Sequence, residues 1–412
     1  MSEVVSIPQL RFPEFRDEWR VDKFVDLCKF QQGVQVDVEL QSTEPKNNFL
    51  RFLRIENYTQ KSNDFRYIPK ELSSNKSITE NEIAIVRYGA TAGYIGRGLK
   101  GILANNLFKL VLNKDTLDTD YLFHLLRSYK TFCFFQSEMS GGAMPALSFG
   151  IVGALKLPYS SISEQQKIAA FLTAVDNKIE QLSKKQELLG EYKKGLMQQI
   201  FSQEIRFKAD DGSDFPDWEE KKLGDLSVVI SDGNYGELYP TSSDFKLTGV
   251  PFLRANNIKS LKIDGTDTKY ITEEQHSLLT SGHLQTNDIL ITTRGVLGNL
   301  AIVESTHNGS NINAQICLLR VTNTSELNHF YLLFVLDHRD SKKQYKAFET
   351  GTALKQLPKG NLRKIKLKLP TLFEQNKIAN FLSSIDTKIE QVDKQLDESK
   401  QFKKALLQQM FV

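Results

Sequence analysis

Glu164-Gln-Gln-Lys-Ile-Ala-Ala-Phe-Leu172 returns about 210 residues later as Glu374-Gln-Asn-Lys-Ile-Ala-Asn-Phe-Leu382. The match then continues. Asp176-Asn-Lys-Ile-Glu-Gln181 returns as Asp386-Thr-Lys-Ile-Glu-Gln391, and Leu196-Met-Gln-Gln-Ile-Phe201 as Leu406-Leu-Gln-Gln-Met-Phe411. A repeat of that period sets the architecture before any single residue is weighed.

Each copy has the spacing of a long helix. Ile168, Leu172, Val175, Ile179, Leu182, Leu189, Leu196 and Ile200 follow alternating steps of four and three, with Gln186 and Lys193 interrupting. Ile378, Leu382, Ile385, Ile389, Val392, Leu396, Leu406 and Met410 do the same, with Ser399 and Lys403 interrupting. Such a stripe is a coiled-coil seam that needs a partner helix, and the other copy is the simplest one. Neither segment contains Pro. Ser163 with Gln166 and Thr371 with Glu374 have capping-box spacing. At about 1.5 Å per residue each helix is expected to run roughly 57 Å. Identity at polar positions such as Lys178, Glu180, Gln198 and Gln199 exceeds what a core alone dictates.

The stretches between the helices also repeat a plan. Arg11-Phe12 and Trp19 are echoed by Arg206-Phe207 and Trp218. Phe52-Leu-Arg-Ile55 is echoed by Phe252-Leu-Arg-Ala255, and Arg87-Tyr-Gly89 by Arg294-Gly295. Tyr121-Leu122 matches Tyr331-Leu332, and Gly141 to Leu147 matches Gly351 to Leu357. Strands are expected at Phe52–Ile55, Glu82–Val86 and Leu107–Leu112, and a helix at Asp120–Arg127. The reading is an α+β chain of block, helix, block, helix. Its bounds are 1–158, 159–203, 204–370 and 371–412. Two similar α/β blocks are separated by two long antiparallel helices related as a pseudo-two-fold repeat.

The composition narrows the function. The 412 residues carry a net charge of only +3, so a sequence-blind coat on DNA is disfavoured while local basic patches stay open. The three cysteines and six histidines are scattered, without metal or disulfide spacing. The opening Met-Ser-Glu-Val-Val-Ser has no signal-peptide pattern. No apolar run is long enough to span a bilayer. A cytoplasmic protein with no membrane association is expected.

Catalytic signatures are missing or fail. Gly96-Arg-Gly-Leu-Lys-Gly101 matches the dinucleotide fingerprint, but Ile102–Leu112 reads as strand where that site needs a helix. There is no phosphate-binding loop of the GxxxxGK[ST] type. No Asn-Pro-Pro-aromatic or Asp-Pro-Pro-aromatic run grips a target base. Pro216-Asp217 with Glu219 and Lys221 is too compact for a nuclease carboxylate set. The chain is expected to carry no catalytic residue, bind no metal and hold no cofactor.

Basic, amide and aromatic residues in turns are the better lead. Block one offers Arg51, Arg54, Arg66, Tyr88 and Arg97. Block two offers Arg254, Asn256, Asn257, Arg294, Lys355 and Gln356. Arginine can pair with guanine, and Asn or Gln with adenine, in the major groove. For any one of these residues ordinary surface charge is the simpler reading. As a group, their recurrence at matching turns points to double-stranded DNA. A coiled-coil adaptor whose blocks bind proteins is the alternative.

The chain resembles the specificity subunits of type I restriction–modification systems. Leu157-Pro158 before Glu164-Gln-Gln-Lys-Ile-Ala-Ala-Phe-Leu172, and Leu369-Pro370 before Glu374-Gln-Asn-Lys-Ile-Ala-Asn-Phe-Leu382, carry the likeness. Tyr159 and Thr371 stand where the family usually has a second proline. The resemblance implies that each block is a target-recognition domain for one half of a split DNA site. It implies that the helices are a spacer docking two adenine-N6 methyltransferase subunits, joined by restriction and translocase subunits. S-adenosylmethionine, ATP and magnesium would then belong to those partners. Lys178, Glu180, Gln198 and Gln199, with Lys388, Glu390, Gln408 and Gln409, would form the repeated docking face.

Overall fold

The computed structural model describes residues 8–73, 76–139, 145–233, 235–236, 239–351 and 354–411. The segments 141–144 and 352–353 of the glycine-led repeat lie outside them. The chain divides into two compact units. One joins Met1–Lys184 to Asp393–Val412; the other is Lys185–Val392.

The first unit is built on a four-stranded antiparallel sheet. Its order is Cys28–Gln32, Leu107–Leu112, Ala84–Val86 and Ile95–Gly96. Side chains alternate across a strand, and here the alternation sorts two cores. Ile83, Ile85, Phe108 and Leu110 face the helices. Ala84, Val86 and Leu107 face Leu53 and Leu103 of a second sheet and Tyr58 of the short helix Ile55–Thr59. That second sheet runs Arg66–Pro69, Phe49–Leu53, Gly101–Leu103 and Ser77–Ile78. The fingerprint-like glycines therefore end one strand and begin another, and no helix follows them. The expected helix is present as Thr119–Leu126, capped by Asp118.

The second unit repeats this order. Val228–Asp232, Ile316–Val321, Ile289–Thr292 and Leu300–Ile302 form its four-stranded sheet. Ile289, Ile291, Cys317 and Leu319 face the helices, while Leu290, Ala301, Ile316 and Leu318 face Leu253, Ile258 and Ile312. His329–Asp337 stands where Thr119–Leu126 stands in the first unit.

The long helices are Ile162–Phe201 and Leu372–Met410. In the first unit Ile168, Ala169 and Leu172 share a core with Leu406, Met410 and Phe411. In the second, Met197, Ile200 and Phe201 share one with Ile378, Leu382 and Ile385. Within each unit the start of one helix meets the end of the other, so the pairing is antiparallel. Burying each Ile or Leu contributes about 1.5–3 kcal/mol. Ring edges close both cores, Tyr121 against Phe411 at 5.5 Å and Tyr331 against Phe201 at 5.9 Å.

The capping boxes expected at the helix starts are not there. The first helix begins at Ile162, with Ser161 O accepting from Gln165 N, so Ser163 sits inside it. Thr371 holds the corresponding place in the second, but its buried hydroxyl has no partner among the described residues. The Glu-Gln motif is spent differently. Glu164 accepts Arg11 Nε at 2.7 Å and Nη2 at 2.8 Å. Glu374 accepts Arg206 at 3.2 and 2.8 Å and also Trp218 Nε1 at 3.0 Å. Both carboxylates are fully buried. Gln165 Nε2 donates to Thr116 O and Ser160 O while its Oε1 accepts from Asp118 N. Gln375 does the same with Glu326 O, Pro370 O and Asn328 N. The motif is an internal latch between each helix and its block, and a buried carboxylate needs such partners.

Candidate nucleic-acid interface

Strand order brings the candidate turns together. In the second unit, Val228–Asp232 and Ile289–Thr292 both run antiparallel to Ile316–Val321, which lies between them. Their C-terminal ends therefore emerge at one sheet edge, beside the start of the central strand. Thr293 N donates to Gln315 O at 2.8 Å there, and Gly233 N to Ile316 O at 3.4 Å. A Cβ at Gly233 would lie 2.4 Å from Ile312 O, so this approach requires glycine.

The chain near 356 completes the edge. Arg294 pairs with Gln356 as a β-bridge, with Gly295 N donating to Lys355 O and Leu357 N to Thr293 O. The Arg294 guanidinium lies 4.9 Å from the centre of the Tyr235 ring. Its Nη2 donates to Tyr235 Oη at 3.1 Å, and that hydroxyl donates to Ala314 O at 3.2 Å.

The first unit builds the same edge. Gly33 N donates to Leu107 O, Arg87 N to Asn106 O, Gly89 N to Pro145 O and Leu147 N to Arg87 O. Tyr88 bridges Ala146. Arg87 lies 4.9 Å from the Tyr88 ring centre and 4.7 Å from that of Phe149. This corrects the sequence alignment. Arg294 stands where Tyr88 stands, not where Arg87 stands; Gln356 takes the place of Ala146, and Gln315 that of Asn106. One frame is built twice and furnished differently.

Comparison with known proteins follows this doubling. The model of the type I restriction modification DNA specificity domain matches residues 16–189 and again residues 216–399. The chain belongs to that family.

It is a specificity subunit, supplying DNA recognition and no catalysis of its own. It is 28% identical over 413 residues to the type I restriction enzyme MjaVIII specificity subunit of Methanocaldococcus jannaschii, covering 97% of this chain and 92% of that one. The putative MjaX specificity subunit of the same organism is 27% identical over 340 residues, covering 77% and 73%. The fold is that of the type I S subunit from M. genitalium, with a TM-score of 0.65 at 18% identity over 99% of both chains. A structure from work on assembly and conformational transition of the type I system gives 0.56 at 19% identity, covering 96% and 99%.

Within this specificity subunit the candidate residues fall into distinct groups. Arg54 and Arg254 are committed to loop structure. Arg54 Nη2 reaches Asp64 O at 2.9 Å and Asp64 Oδ2 at 3.3 Å; Arg254 Nη2 reaches Asp267 O at 2.9 Å and Oδ2 at 2.7 Å. With Lys269, Arg254 holds the Asp267 carboxyl below its ordinary range. Asn257, expected at the surface, is fully buried. Its Oδ1 accepts from Arg254 N, and its Nδ2 donates to Asp264 O and Thr266 O. Asn57 repeats this in the first unit. These bonds leave Asn257 no free edge for a base. Its neighbour Asn256 is exposed. Arg97 pairs with Asp120 and covers the Phe123 ring at 4.2 Å. Lys355 is exposed and paired with Glu349 at 2.7 Å.

Arg51, Arg87 and Arg294 form another group. Each lies on an aromatic ring, Arg51 on Phe65 at 4.3 Å, and none has a carboxylate partner among the described residues. Sequence reading missed Arg87, Tyr235, Phe65 and Phe149 as members of the site. A stacked pair leaves no trace in sequence when its members are distant, as Tyr235 and Arg294 are.

Among the described residues no cluster of His, Cys, Asp or Glu is placed to hold a metal. Burial pushes the Cys28 thiol up to about 12 and Cys317 higher, so neither supplies a thiolate nucleophile. No helix among the described residues is long and apolar enough to cross a membrane.

The eight helix residues expected to dock partners are all exposed. The first unit contains Lys178, Glu180, Gln408 and Gln409; the second contains Gln198, Gln199, Lys388 and Glu390. Each unit thus has one full set, with the two helices exchanging contributions. Glu390 also pairs with Lys262 at 2.6 Å.

Proposed function

We propose that each block reads one half of a split, asymmetric DNA site from its sheet-edge turns. The observation that carries this is the doubled frame with different furniture: Arg87, Tyr88 and Ala146 in one unit, Thr293, Arg294 and Gln356 in the other. Identical frames with different side chains suit two different half-sites. Arg54 and Arg254 act by shaping loops, and Arg51, Tyr88, Asn256, Arg294, Lys355 and Gln356 act at or near the DNA.

The docking sets support two copies of one partner, since identical partners require like surfaces. We assign them to two adenine-N6 methyltransferase subunits, with restriction and translocase subunits joining the complex in the cytoplasm. S-adenosylmethionine, ATP and magnesium belong to those partners. Mapping methylated adenine across the host genome, with this gene intact and deleted, tests the reading. Loss of one split motif on deletion is expected. An unchanged map, with purified complex that binds DNA without steep salt dependence, would favour the adaptor reading instead.

A further inference from the structure

We infer that Arg294 reads a guanine in the half-site of the second block, and that Tyr235 is the positioning residue that aims it. This rests on the reading of the sheet edge as the DNA contact and names the base that one position takes.

The argument starts from the competition for arginines. In the second unit Arg206, Arg254 and Arg320 each donate to a carboxylate at 2.7 or 2.8 Å. An arginine so paired has its charge and its donors committed. Arg339, 3.8 Å from Asp340, and Arg363 are exposed and lie on no aromatic ring among the described residues. Arg294 has no carboxylate partner among the described residues. Among the described residues its side-chain hydrogen bond goes to a neutral hydroxyl, and its guanidinium carbon lies 4.9 Å from the centre of the same ring. The ring contact and the Oη bond together hold the guanidinium beside Tyr235. Nε and Nη1 have no acceptor among the described residues.

A planar fork with free donors matches the O6 and N7 acceptors of guanine. Holding it in place beforehand lowers the rotamer entropy lost on binding. Tyr235 is itself anchored, because its hydroxyl donates to Ala314 O. Across the bridge, the Gln356 carboxamide has no hydrogen-bond partner among the described residues and stands next to the fork. The equivalent positions of the first unit hold no such fork. Tyr88 and Ala146 occupy the equivalent positions, and Arg87 is held between two rings with its Nε buried. Guanine reading at this position is therefore a property of one half-site.

Selection of randomised duplexes by the full chain, co-purified with its modification subunits, tests this. The wild-type complex is expected to enrich a split motif containing a G·C pair in one half. Arg294→Ala is expected to lower discrimination at that pair alone by about 5- to 150-fold. Arg294→Lys keeps the charge and loses the fork, so it should lose the discrimination while keeping overall affinity. Tyr235→Ala should relax the same pair, and Tyr235→Phe, which keeps the ring, should recover part of it. A motif that Arg294→Ala and Arg294→Lys leave unaltered, or alter in the other half, overturns the inference and leaves DNA reading standing. Failure of the wild-type complex to enrich any motif overturns the DNA reading itself, and this assignment with it.

Discussion

Lys193 Nζ lies 2.5 and 2.7 Å from the two carboxylate oxygens of Asp386, in the seam between the helices. The first unit repeats the contact with the helices exchanged, as Lys403 with Asp176. Lys193 and Lys403 are among the residues that interrupt the hydrophobic stripes, with Gln186 and Ser399. Each of the two lysines is answered by an aspartate on the opposite helix, and the register is the same in both units. Such a pair disfavours slipped registers, because a slip leaves two charges unpaired in a poorly solvated seam.

Breaking this pair should therefore cost more than replacing it. Burial raises the Asp386 carboxyl above its ordinary range while Lys193 and Lys262 pull it back, so the charge depends on its partners. Asp386→Ala is expected to destabilise the chain by about 1–3 kcal/mol, the low side of a buried pair because Asp386 keeps 31% of its side-chain exposure. Lys193→Met with Asp386→Leu should restore most of that loss. Thermal unfolding of Lys193→Met, Asp386→Leu and the double variant gives the coupling. Strictly additive effects would show that the contact carries no energy of its own.

The register also indicates how to lengthen the scaffold. Seven residues inserted after Gln186, matched by seven after Val392, keep the stripe and both ion pairs. They lengthen the pair by about 10 Å. On the proposed function the preferred gap between half-sites should then grow by about three base pairs, at roughly 3.4 Å each. A selection of duplexes with graded gaps measures this. An unchanged preferred gap would remove the helices from the role of spacer.

The latch at each helix start yields a comparison between halves. Glu374 has three hydrogen bonds from Arg206 and Trp218, whereas the buried Trp19 Nε1 has no partner among the described residues. Glu374→Ala should therefore cost more than Glu164→Ala, about 3 kcal/mol against about 2 kcal/mol, because it strands one further donor. Hydrogen exchange at the first turns of the two helices locates the loss. Faster exchange at Leu372–Ala379 than at Ile162–Ala169, each in its own variant, is the expected result.

Much of this architecture is legible in the chain. The seam stripe, the repeat and the strand at Leu107–Leu112 follow from periodicity, because each depends on local spacing. Arg11 and Arg206 were visible as echoes, but not as ligands of Glu164 and Glu374, since that contact joins residues more than 150 positions apart. The capping-box reading at Thr371 failed for the same reason, because Glu374 serves the distant Arg206 and not its own backbone, while at Ser163 it failed because the helix already starts at Ile162. Arg254 and Arg294 have the same residue type, and both sit in turns. Only the fold shows that one is tied to Asp267 and the other lies on Tyr235. Asn257 was misplaced because an asparagine that organises a loop and one that contacts a base look alike in sequence.

One difference between the halves sets a pH dependence. His124 and Phe334 are equivalent positions beside the two ion pairs. His124 is 1% exposed; its Nε2 meets Thr173 Oγ1 at 3.1 Å and its Nδ1 lies 3.9 Å from Asp176. Burial pushes its pKa down to about 4; Asp176 opposes this, and Lys403, Arg97 and Arg127 add to it. The folded value thus lies below the ordinary 6.5. The unfolded chain then takes up a proton that the folded chain refuses. Stability from this group is complete above about pH 6.5 and is lost as the pH falls toward 4. By pH 5 the loss is about 2 kcal/mol, taking 1.36 kcal/mol per pH unit. His124→Phe, which copies the second half, removes the titrating group and leaves only a small constant cost at Thr173. Unfolding followed from pH 7.5 to 5 should show wild type losing about 2 kcal/mol more than the variant. Parallel curves would assign the acid sensitivity to groups other than His124.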